Sequence, residues 1–231
     1  CSIMLFYVMD LPSRVVNNCQ ACRSMCSDDC KSVESEVTRM RLSKDISISI
    51  IIIIIIHVSV TVRIAKYLLK YFKEKYSAHE FQFVNLQENQ VPFIEKVWST
   101  INDVPEEFKS AAEKIYSADA FIIITPEYNG SMSSAVRNLF DHFPKQTKKV
   151  FGIVTASDGM MGGIRAAVAM QNQICAWFGI PCPNMLVIGN MDKKFDADGC
   201  LLDEKFINNI MNFSNEFIWL AEAVNDKKQK V

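Results

Sequence analysis

Seven consecutive isoleucines at 50–56 lie inside Ile46–Val62, a stretch of seventeen residues without a formal charge, and they constrain the fold more than any other feature of the chain. β-branched side chains are stiff at χ1 and suit a pleated surface, so such a run reads as a strand buried on both faces. The competing reading is a membrane-spanning helix, because seventeen residues reach the lower limit for crossing a bilayer. Ser47, Ser49, His57, Ser59 and Thr61 break the run with polar groups, and the pattern that follows needs a strand here. The strand is the expected reading, and a membrane is not an expected partner.

After the isoleucines, Val62–Lys75 places Ala65, Leu68, Leu69 and Phe72 on one face, with Arg63, Lys66, Lys70 and Lys73 elsewhere, which is the spacing of an amphipathic helix. Apolar runs recur at Phe81–Leu86, Ala120–Thr125, Val150–Thr155 and Met185–Ile188, separated by helical patterns at 106–117, 132–142, 163–178 and 204–224. Strands alternating with helices at this spacing indicate repeated βαβ units. The expected fold is α/β, a doubly wound five-stranded parallel sheet in three α/β/α layers. It spans residues 46–224, between a Cys-containing tail at 1–45 and a polar tail at 225–231. A domain of that size buries about 70% of the surface of its unfolded chain and needs neither disulfide nor metal.

Charge and cysteine usage narrow the function classes. With 25 Lys+Arg against 26 Asp+Glu, the chain lacks the cationic excess that tracks phosphates, so nucleic acid is not an expected partner. Residues 1–45 hold six basic and six acidic side chains, unlike an acid-poor transit peptide, and Ile3–Leu11 lacks both a basic n-region and a small-residue cleavage site. A cytoplasmic, reducing location is expected, with Cys1 marking a missing or processed start. Cys19, Cys22, Cys26 and Cys30 share one helical face at steps of three, four and four. A bound metal is one reading and a buried apolar stripe or an incidental tail the other; no metal is expected.

In an open α/β sheet the ligand sits beyond the carboxyl ends of the strands. After the third strand comes Thr125-Pro126-Glu127-Tyr128-Asn129-Gly130-Ser131, in which Pro126 stiffens the loop, Asn129 and Gly130 tolerate left-handed backbone, and Ser131 or Ser133 can cap the next helix. Tyr128 offers a flat surface to a planar heterocycle. After the fourth strand, Ser157-Asp158-Gly159-Met160-Met161-Gly162-Gly163 allows close backbone approach and opens a helix whose N-terminus favours negative charge. Arg165 in that first turn is either partnered or solvated. Asp141 and His142 are expected to be structural or interfacial, and no catalytic acid, base or nucleophile is expected.

Taken together, TPEYNGSMSSAVRNLFDHF at 125–143 and TASDGMMGGIRA at 155–166 resemble the NAD(P)H-dependent FMN reductase and quinone reductase family, over roughly residues 50–224. The resemblance implies a flavodoxin-like fold, noncovalent FMN, NADPH or NADH as co-substrate, and a homodimer or homotetramer. It also implies two-electron reduction of a small-molecule acceptor such as a quinone, free flavin, azo dye or metal oxyanion. By the same resemblance Pro126, Glu127, Tyr128, Asn129 and Gly130 hold the flavin ring and ribityl chain, and Ser157, Gly159, Gly162 and Gly163 face the other side of the ring edge. The family's phosphate loop after the first strand, Gly-Ser-x-Arg, has no counterpart in Ile53–Thr61, which leaves Ser59, Thr61 and Arg63 as the expected phosphate donors. A chain that kept the sheet but lost this loop reads alternatively as a non-catalytic flavodoxin-like binding module.

Overall fold

A computed structural model of the chain describes residues 49–54 and 59–229. The tail cysteines at 19–30, the N-terminal region as a whole, and the Ile55–Val58 part of the expected phosphate turn lie outside the described residues. The elements run β1 (Ser49–Ile54), α1 (Ser59–Lys75), β2 (Glu80–Asn85), α2 (Lys109–Ser117), β3 (Ala120–Thr125), α3 (Ser134–Asp141), β4 (Val150–Ala156), α4 (Ile164–Ala176), β5 (Ile180–Pro181), β6 (Leu186–Ile188) and α5 (Ile207–Gln229). The expected polar tail at 225–231 thus begins inside the last helix.

Ile50–Ile54 of the isoleucine run lie in a central strand. β1 pairs in parallel with β2 on one side, Ile50 opposite Phe81, and with β3 on the other, Ile50 opposite Ala120. Strands inside a parallel sheet that helices cover on both faces read as continuous apolar runs, which accounts for the unbroken apolar character of this one. The sheet order is β2-β1-β3-β4-β5, with β6 also paired to β4. The uncharged stretch does not stay extended to Val62, however, because helix α1 already begins at Ser59. Absence of charge does not mark a strand end, and the helical period that buries Ile64, Leu68 and Phe72 takes over before the first cation.

Side chains alternate across the sheet and build two cores. Ile122, Ile124 and Val154 point to one layer, where they meet Ile64, Leu68 and Phe72 of α1 and Ile210, Phe213 and Phe217 of α5. Phe121, Ile123, Phe151 and Ile153 point to the other, against α2, α3 and α4. Gly152 makes room for α5: a Cβ there would lie 3.0 Å from both Phe213 and Phe217, whose rings stack at 6.1 Å.

The fifth strand is broken. Ile180–Pro181 pairs with Val150 and Phe151, and Leu186–Ile188 with Val154 to Ala156. The sequence pattern exposes only the second piece, because Pro181 and Pro183 remove donors and disguise the first. Proline is tolerated here because, among the described residues, the strand has a partner on one side only.

Candidate active site

The carboxyl ends of β3 and β4 carry the two loops that the sequence singled out. Thr125 closes β3 by accepting the Ser133 amide at 3.1 Å and donating to the Pro126 carbonyl at 3.0 Å. Between them, Tyr128 and Ser131 exchange backbone hydrogen bonds at 2.9 and 3.0 Å around Asn129 and Gly130, whose φ angles are 50° and 76°. Positive φ at both central residues is the requirement of a type I′ turn, which Asn-Gly satisfies at little cost. The turn lifts Tyr128 out of the core, leaving it 46% exposed. Ser133 then caps α3 by accepting the Ala135 amide at 3.3 Å.

The glycine-rich loop is held from below. Ser157 donates its amide to Ile188 and its hydroxyl to the Gly159 carbonyl. Gly162 (φ 62°) approaches the Gly189 amide so closely that a Cβ would lie 2.7 Å from it, and Gly163 (φ 83°) sits over Thr155. For these two glycines the close approach is therefore to protein backbone and to Thr155. Gly159 is different: the nearest atom to a Cβ there is the Ser157 hydroxyl at 3.8 Å, so its surroundings are open.

Glu127 joins the two loops. Its Oε2 accepts the amides of Arg165 at 3.1 Å and Ala166 at 3.3 Å, in the first turn of α4. The N-cap of that helix is Gly163, which has no side chain to satisfy those donors. A carboxylate from the neighbouring loop takes over the capping task. This role was not anticipated from sequence; the one available signal was a helix opening on glycine, which leaves its first amides looking for an acceptor. Arg165 itself is exposed, its stem 3.9 Å from the Cβ position of Gly130.

The expected phosphate donors lie across the sheet at the start of α1. Ser59 is the first residue of that helix and Thr61 is buried in its first turn. Arg63 is already engaged, with Nη1 2.6 Å from Asp192 Oδ1 and a side chain only 16% exposed. Asp192 stands in the turn after β6, a partner that a sequence separation of 129 conceals from sequence reading. His142 is structural: 2% exposed, its Nδ1 2.8 Å from the Asn138 carbonyl and its ring 4.4 Å from Trp98.

These groups fit a planar, carbonyl-bearing heterocycle with an anionic tail. The amides of Asn129, Gly130, Gly159 and Met160 have no partner among the described residues, Tyr128 is about half exposed, and the buried Arg63 Nε and Thr155 Oγ1 have no hydrogen-bond partner among the described residues. Donors without acceptors suit a ligand rich in acceptors.

Comparison with known proteins identifies the family and the fold. The sequence profile of the NADPH-dependent FMN reductases matches residues 51–193, more than half of the chain. The FMN-dependent NADPH-azoreductase of Staphylococcus aureus is 26% identical over 167 residues, covering 66% of this chain and 86% of that protein. Among solved structures, FerB, a flavoenzyme NAD(P)H:(acceptor) oxidoreductase from Paracoccus denitrificans, superposes with a TM-score of 0.60 at 19% identity, covering 76% of this chain and 98% of its own. An oxidoreductase from Corynebacterium diphtheriae gives 0.56 at 12% identity, covering 78% and 98%. These two likenesses establish the flavodoxin-like fold, and the profile match shows that the chain belongs to the family of NADPH-dependent FMN reductases.

Proposed function

We propose that the chain transfers hydride from NAD(P)H through noncovalently held FMN to a quinone, flavin or similar small-molecule acceptor. The observation that carries this reading is the Glu127 bridge, which fixes the two loops beside each other at the ends of adjacent strands. Bound there, FMN supplies the two-electron relay between reductant and acceptor. The chain contributes orientation. Tyr128 supplies an aromatic wall, Pro126 a rigid entry to the loop, and the amides of Asn129, Gly130 and Gly159 donors for ring oxygens and nitrogens. Ser157 holds the second loop, while Gly162 and Gly163 let it fold down onto Gly189 and Thr155. Ser59, Thr61 and Arg63 are the groups from which the phosphate would draw donors at the start of α1.

We further propose a homodimer or homotetramer in the cytoplasm. No helix among the described residues is long and apolar enough to cross a membrane. The alternative, a flavodoxin-like binding module without catalysis, draws on Arg63 being tied to Asp192 and on the missing glycine of the phosphate turn. One experiment separates the two readings. The protein is mixed with FMN under anaerobic conditions, then NADPH and finally a quinone are added while the visible spectrum is followed. Bleaching by NADPH that the protein accelerates, followed by return of the flavin bands with quinone, is the expected result. Flavin binding without protein-dependent bleaching by NADPH or NADH would establish the binding module instead.

A further inference from the structure

The connection from β2 to α2 leaves the sheet at Asn85 and is pinned before it turns away. Asn85 accepts the Gln87 amide at 3.0 Å and donates to Glu88 at 2.7 Å, turning that carboxylate back on its own segment. From α3, Asn138 Nδ2 donates to the carbonyls of Val91 at 3.1 Å and Pro92 at 2.8 Å. The pinned segment and the start of α3 enclose a cleft of about 450 Å³ that includes Tyr128 in its lining. Its size falls within the range of small-molecule sites.

The chemistry of the cleft is unusual for a surface recess. Leu86, Val91, Phe93 and Ala135 give it carbon walls, and Gln87 and Ser134 are among its neutral polar groups; among the described residues no Lys, Arg, Asp or Glu lines it. Phe93 stands 92% exposed on the fixed backbone beside it. An anion entering such a space would lose hydration and gain no countercharge, whereas an uncharged ring system would bury apolar surface and find amide and hydroxyl donors for its carbonyl oxygens.

We propose that this cleft receives the electron acceptor and selects uncharged planar acceptors of the quinone class over anionic ones, with Phe93 as a specificity-determining residue. The inference rests on reading the chain as an FMN-dependent oxidoreductase. In the balanced reaction the hydride of NAD(P)H provides two electrons and one proton, solvent provides the second proton, and the quinone leaves as the hydroquinone.

The test is equilibrium binding of menadione and of a naphthoquinone sulfonate to the FMN-loaded protein, followed by ligand-observed NMR. It is run on the wild type, Phe93→Ala and Gln87→Lys; both replaced side chains are exposed, so folding is not at stake. Menadione is expected to bind more tightly than the sulfonate. Phe93→Ala should weaken menadione about two- to tenfold, the worth of an aromatic wall, with FMN affinity unchanged. Gln87→Lys should draw the sulfonate level with menadione. Equal binding of the two probes by the wild type, or menadione binding indifferent to Phe93, would overturn the proposal. A parallel loss of FMN affinity in Phe93→Ala would also overturn it, since the cleft would then be the seat of the flavin. Failure of NADPH to bleach the flavin, read separately, would remove the underlying function and this inference with it.

Discussion

Replacing Glu127 by alanine removes the acceptor of two backbone amides at 3.1 and 3.3 Å and with it the bridge between the loops. Because Gly163 offers no side chain, the lost bonds amount to the loss of an N-cap, about 0.5–2 kcal/mol, and removing a carboxylate from a helix N-terminus adds about 0.3–1 kcal/mol. The two effects overlap, so a combined loss of about 1–2 kcal/mol is expected, which for a domain of this size lowers Tm by about 2–8 °C. Glu127→Gln keeps an oxygen acceptor and loses only the charge, so it should fall between alanine and wild type. Circular dichroism melts give the stability, and flavin fluorescence quenching gives FMN affinity, expected to weaken in the same order. Alanine and wild-type proteins that melt together and bind FMN equally would refute the claim that this carboxylate holds the site in shape.

Other outcomes follow from the same packing and electrostatics. Gly152→Val should cost about 1–3 kcal/mol in urea unfolding, because its Cβ would already lie 3.0 Å from Phe213 and Phe217; an unchanged midpoint would mean that α5 shifts freely. Burial, reinforced by Lys228, pushes the Lys149 ammonium down from 10.5 to about 8. Between those values the unfolded chain still holds a proton that the folded chain has released, so stability rises with pH across the window, by at most about 3 kcal/mol. Urea melts at intervals from pH 8 to 10 should show that rise in the wild type and a flatter profile in Lys149→Met; parallel profiles would contradict it. Arg63→Ala should raise the Kd for FMN about tenfold or more while leaving riboflavin, which lacks the phosphate, unaffected. Equal effects on both ligands, measured by fluorescence titration, would move the phosphate elsewhere.

What could be read from the chain and what could not divides along physical lines. Strand and helix alternation was legible because burial on a sheet face and on a helix face imposes different periods, so Ala120–Thr125 and Val150–Ala156 fall almost where the apolar runs lie. The end of β1 was not, since an uncharged stretch of β-branched residues lacks punctuation until Arg63. Pro181 hid the first half of the edge strand. At the site, the Asn129-Gly130 turn was legible because its backbone demands those residue types. The partners of Glu127 and Arg63 were not, because both lie across the fold at separations that local pattern does not encode. The glycines at 162 and 163 were legible as a tight turn, but that the turn closes on Gly189 required the tertiary structure.

The central claim, that the loops after β3 and β4 together form the flavin seat, is tested most directly by amide hydrogen exchange with and without FMN. Protection is expected to rise in both segments, 126–130 and 157–163, and at the start of α1. Protection confined to one loop, or falling on helices away from the carboxyl ends of the strands, would contradict it.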